Sequence, residues 1–132
     1  MAEPQFKDFD ALWAHIMALY MGGAYGQIYD LATREGERFP RNAGFLLYIR
    51  AFMAARLNKA DLAFKLLEEM LDSGYWLSER AWEDEDLKTV RDLPAFARVR
   101  ERSMEHLRAA QAAAKSVEII GLLSPYPQPL SP

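Results

Sequence analysis

Two stretches decide the fold when they are set one above the other: "MALYMGGAYGQIYDLA" (Met17–Ala32) and "FMAARLNKADLAFKLL" (Phe52–Leu67). In each, apolar residues recur at helical spacing, stop near the middle, and resume at the same spacing. The first break is Gly22-Gly23, which supplies the positive φ that ends a helix. The second places Asn58 there, a residue that tolerates the left-handed region. Gly23 and Asn58 are 35 residues apart, and the same offset relates Trp13 to Tyr48, Met17 to Phe52, Ile28 to Ala63 and Leu31 to Leu66. The chain therefore holds two copies of one helix–turn–helix unit.

Working outward, the spacing predicts a first helix from the N-cap Asp8 to about Met21, with Leu12, Trp13, Ile16, Met17 and Tyr20 turned inward. A second helix runs from about Ala24 to Arg38 and stops against Phe39-Pro40. The third, about Arg41 to Leu57, carries Phe45, Tyr48, Ile49, Phe52 and Met53 at core spacing. The fourth opens near Asp61 and stops at Ser73-Gly74. Ser78 is expected to cap a short helix, and Leu87 and Val90 sit in a second short turn. A last amphipathic helix starts at Asp92 and Pro94, with Phe96, Val99, Ser103, Leu107, Ala110 and Ala114 on one stripe. The fold class is all-α: two αα-hairpins, short connecting helices and a C-terminal closing helix over residues 1–116. Residues 117–132 read as a short strand, "VEIIGLL", and the proline-rich tail "SPYPQPLSP".

A period near 34 residues is the tetratricopeptide spacing. The chain resembles tetratricopeptide-repeat proteins over residues 9–77, with Gly23 and Tyr25 at the repeat's turn and Pro40 at its end. His15-Ile16 and Asn58 depart from the family's pattern. The segment "GYWLSERAWEDEDLKTVRDLPAFARV" resembles the terminal element of bacterial repeat proteins, through Gly74, Trp76, Asp84, Asp86, Leu87, Arg91, Pro94 and Phe96. In that family the first helix of each hairpin lines a groove. The resemblance places Asp10, Trp13, Met17, Tyr20 and Met21 there from the first helix, and Phe45, Tyr48, Phe52 and Arg56 from the third.

Two fates of this groove are open. The closing helix folds across it and makes Trp13, Tyr48 and Phe52 core, or part of it stays open. An open groove would take a protein or peptide partner, or a second copy of the chain as a homodimer. Its anchors would be Trp13, Met17, Tyr20, Phe45, Tyr48 and Phe52, with Arg56 and Arg50 as polar orienting groups. Tyr75, Trp76 and Trp82 are expected to staple the fourth helix to the last one, and the acids from Glu83 to Asp86 to form a solvated turn.

Composition excludes several classes. The chain has 132 residues and no cysteine, so it has no disulfide, thiolate metal site or cysteine nucleophile, and a cytoplasmic location is expected. A net charge of −3 argues against a nucleic-acid or anionic-membrane partner. No G-x-S-x-G elbow, H-E-x-x-H helix, phosphate loop or dinucleotide fingerprint occurs, and no cofactor or metal is expected. His15 and His106 lack converging partners in sequence. The expected function is a non-catalytic interaction or scaffold module. The alternative is the accessory N-terminal domain of a larger hydrolase: in one bacterial architecture such a module precedes an α/β-hydrolase domain, whose first strand follows a lysine-ended helix much as "VEIIGLL" follows Lys115.

Overall fold

The computed structural model describes residues 6–117. Helix α1 (Phe9–Met21) pairs with α2 (Tyr25–Glu35), and α3 (Ala43–Arg56) pairs with α4 (Ala60–Asp72). A 3-10 turn, Pro40–Asn42, leads into α3, and two more, Glu79–Glu83 and Glu85–Leu87, precede α5 (Pro94–Val117). No strand occurs among the described residues. The expected strand and proline-rich tail lie outside them, apart from Val117, which ends α5.

The two hairpins turn through the same hydrogen bonds. Gly23 has φ +74° and Asn58 φ +61°. The Gly23 and Ala24 amides donate to Tyr20 O (3.0 Å) and Leu19 O (2.9 Å); Asn58 and Lys59 donate to Ala55 O (3.0 Å) and Ala54 O (2.9 Å). Each pair satisfies carbonyls that a helix end leaves unpaired. Gly74 (φ +91°) closes α4 the same way, with Tyr75 N–H donating to Met70 O. At the other end of α1, Asp8 Oδ1 accepts from Ala11 N–H at 2.9 Å, the expected cap.

Helix α3 is the centre of the molecule. It packs on α2 along one side and α4 along the other, and Ala51, Ala54 and Ala55 have no exposed surface. Small side chains there bring the neighbouring backbones close. Around them Ile28, Leu46, Ala63, Leu66 and Leu67 complete the core. Burying each leucine or isoleucine is worth about 2 kcal/mol before the cost of ordering the chain is counted.

Two expected boundaries shift. Helix α2 stops at Glu35 rather than Arg38, with Arg38 turning back to Glu35 Oε1 at 2.7 Å and Phe6 O at 3.1 Å. Ser78 makes no side-chain cap, and its hydroxyl is buried without a partner among the described residues.

Helix α5 lies against α4, not across the groove. Its expected inward stripe holds over the first half, where Phe96, Val99 and Ser103 are buried, while Leu107 and Ala110 are only half-buried. Trp82 stands edge-on to Phe96 at 5.6 Å, and Ser103 Oγ accepts the buried Leu77 N–H at 2.9 Å. Arg102 bridges Glu68 and Asp72 of α4.

Candidate functional site

Because α5 goes to α4, the α1–α3 face is closed by something else. The 3-10 turn Glu85–Leu87 lies against α3, with Leu87 fully buried. Thr89 fastens it by donating to Ala55 O at 2.7 Å, and Arg91 Nη2 donates to Asp84 O at 2.7 Å. The acidic run is therefore not a solvated turn throughout. Asp86 is only 6% exposed, while Glu83 and Glu85 face water.

Asp86 enters the face where α1 and α3 end. Its Oδ1 accepts from Arg56 Nε at 2.5 Å and from Tyr20 Oη at 2.9 Å. Arg56 also lies over the Tyr25 ring, 4.9 Å from its centroid. Asp84 Oδ1 accepts the Asp86 N–H at 2.8 Å and holds the turn. Burial raises the Asp86 carboxyl above the ordinary carboxylate range. Arg56 and Tyr20 oppose that rise, and the Asp84 charge adds to it. The bond to Asp86 in turn raises Arg56 further above its already high value.

Beyond this plug a cleft of about 150 Å3 remains, floored by Ile16, Ile28, Ile49 and Phe52 and edged by Trp13, Met17, Tyr20, Tyr48, Asp84 and Asp86. The expected groove residues divide accordingly. Phe45, Tyr48 and Phe52 are 2%, 5% and 2% exposed and belong to the core. Trp13, Tyr20 and Arg56 are half-buried, and Met17 is 37% exposed. Phe45 is closed over by Trp13 at 5.2 Å and Phe9 at 5.5 Å, both edge-on, and Tyr48 packs on Phe52 at 4.3 Å. Burial, and then the nearby Asp84 and Asp86 charges, raise the Tyr48 hydroxyl well above its usual value. Arg50 lies outside the cleft, over Tyr29 at 5.4 Å.

The 35-residue offset thus gives equivalent positions unequal burial. Trp13 and Met17 stand on an outer helix, whereas Tyr48 and Phe52 stand on the central one. Asp84 and Asp86 are the members of the site that spacing alone misses. The likeness of the terminal element marks both, yet as part of a closure, without placing them in the groove.

The histidines do not join this site. His15 is exposed beside Phe6, ring centroids 5.4 Å apart, and His106 Nδ1 lies 3.1 Å from Tyr75 O. Among the described residues no three His, Cys, Asp or Glu side chains gather as a metal site would require. No described helix is long and apolar enough to cross a membrane.

Fold and site together define a domain of helical hairpins whose aromatic face is closed at one end by residues 84–87. Residues 8–112 match the family model of the A/B hydrolase-like, N-terminal domain, and the chain belongs to that family. The tetratricopeptide identification gains no support from the comparisons, and the family shown is that of the alternative expectation. No curated protein and no solved structure matches the chain.

Proposed function

We propose that this chain serves as the accessory, non-catalytic N-terminal domain of an α/β-hydrolase-type protein, positioning substrate or subunits for a catalytic domain. The observation that carries the reading is the family match, which spans residues 8–112 and so takes in every helix from α1 to most of α5. The distribution of polar groups supports it. The buried polar side chains Asp86 and Ser103 bind α3, α1 and the 75–78 linker, roles that hold elements together. A cytoplasmic location belongs to the same proposal and rests on the absence of cysteine.

A stand-alone scaffold that binds a partner helix along the α1–α3 groove has less in its favour. Three of its six anchors, Phe45, Tyr48 and Phe52, are core residues, and Asp86 fills the Tyr20–Arg56 end.

The test is to assay the chain alone on p-nitrophenyl esters of graded chain length, and to read the gene beyond the codon for Pro132. The expected results are no turnover above buffer and a reading frame that continues into a G-x-S-x-G-bearing domain. Ester turnover that disappears on His15→Ala would overturn the non-catalytic reading, and a frame that stops at Pro132 would overturn the hydrolase partnership.

A further inference from the structure

The cleft between α1 and α3 is one cation short. Asp84 and Asp86 both line it, and among the described residues Arg56 is the one guanidinium paired with either side chain. Arg91 directs its Nη2 to the main-chain carbonyls of Asp84 and Trp82, and does not line the cleft. Both partners of Asp86, Arg56 Nε and Tyr20 Oη, bond to Oδ1, and the Asp86 amide bonds to Oδ1 of Asp84. Each carboxylate therefore keeps its Oδ2 without a donor among the described residues. Both Oδ2 atoms keep contact with solvent, so they are open to a donor that enters the cleft.

A second observation is independent of the acids. Tyr48 lines the same cleft, is 5% exposed, and its hydroxyl makes no hydrogen bond to any described residue. The ring is buried, but the hydroxyl keeps contact with solvent and is available to a group that enters the cleft. Trp13, Tyr20 and Tyr48 line the same cleft and supply aromatic rings, which attract cations.

We propose that the cleft is a receptor for one basic side chain, a guanidinium or ammonium on its apolar stem, presented by a protein partner. The methylene stem lies on the Ile16–Phe52 floor and the charged head reaches the Asp84 and Asp86 oxygens and the Tyr48 hydroxyl. A space of about 150 Å3 suits a side chain and is too small for a helix. Exposed Met17 lines the cleft, and exposed Met21 follows one turn on along α1; together they offer apolar surface that a protein would cover and a free small ion would not. The inference stands on these residues whether or not the domain serves a hydrolase.

The test uses the full chain, 15N-labelled, titrated with acetyl-Gly-Arg-Gly-amide, its lysine counterpart and its citrulline counterpart. The readout is the Trp13 indole N–H resonance, assigned with Trp13→Phe. The arginine or lysine peptide should shift it saturably, while the uncharged citrulline peptide binds about tenfold more weakly, the worth of one charge-assisted hydrogen bond. Asp84→Asn keeps an oxygen for the Asp86 amide and so preserves the turn. It should weaken the basic peptide about tenfold with the melting temperature held, and Tyr48→Phe should weaken it by a smaller factor. Equal binding of the citrulline peptide would make the cleft merely apolar and overturn the proposal. So would undiminished binding by a folded Asp84→Asn variant, or the absence of any shift at tens of millimolar.

Discussion

At the scale of single residues, the bond between Arg56 and Asp86 holds a carboxylate 6% exposed beneath the ends of two helices. Removing the cation strands the anion. Arg56→Met should destabilise the domain by about 2–3 kcal/mol, the range expected when a buried ion pair loses one member and the other stays partly wet. The double variant Arg56→Met/Asp86→Leu should recover most of that loss, because no charge is then left in the interior. Urea denaturation of the two variants checks both statements, and equal losses would contradict them.

Asp86 also carries a pH signature. Its folded pKa lies above the ordinary 3.8, so the folded chain holds more protons than the unfolded one just above that value. Stability contributed by this group therefore falls as pH rises through the window between the two pKa values. Asp86→Asn removes the titration. The stability of the wild-type chain relative to the Asn variant should decline as pH rises above about 4. A gap that widens with pH would mean that Arg56 and Tyr20, not burial, dominate the carboxyl.

At the scale of elements, the turns are the first thing to test. A methyl group at Gly23 would meet nothing within 4 Å, so its cost is purely that of the φ of +74°. Gly23→Ala should destabilise by about 1 kcal/mol, and Gly23→Asn, which copies the second hairpin's Asn58, by less. Guanidinium melts separate the two. In α5, Ser103→Ala leaves the buried Leu77 N–H without an acceptor and should cost about 1–2 kcal/mol by the same measurement. These elements were legible in the sequence because their signals are local. Asp8, Gly23, Asn58 and Gly74 each act within one turn of where they stand, and the apolar periodicity of α1 to α5 is a property of each helix alone. The site was less legible. Asp86 meets Arg56 across 30 residues and Tyr20 across 66, and nothing in a run of four acids tells which one turns inward. The landing place of α5 was equally hidden, since an amphipathic stripe says that a face is buried and not against what.

For the whole molecule, the question is whether the repeat and its closure fold as one unit. Trp82, 2% exposed and edge-on to Phe96, joins the closing segment to α5, so Trp82→Ala should cost about 3–5 kcal/mol. If closure and hairpins are one unit, near-UV and far-UV signals of that variant melt together; two separated transitions would show α5 leaving first. The single hydrophobic cluster, which runs from Phe6 and Leu12 to Phe96 and Val99, is the reason to expect one transition.

The turn Glu85–Leu87 carries a consequence for growth of the array. Adding the 35-residue step once more to Met17 and Phe52 arrives at Leu87, which is fully buried against α3. A third unit's anchor position is thus already occupied, by three residues of 3-10 helix instead of a full first helix. Any further hairpin placed against this side of α3 would have to expel Leu87 and Asp86 first.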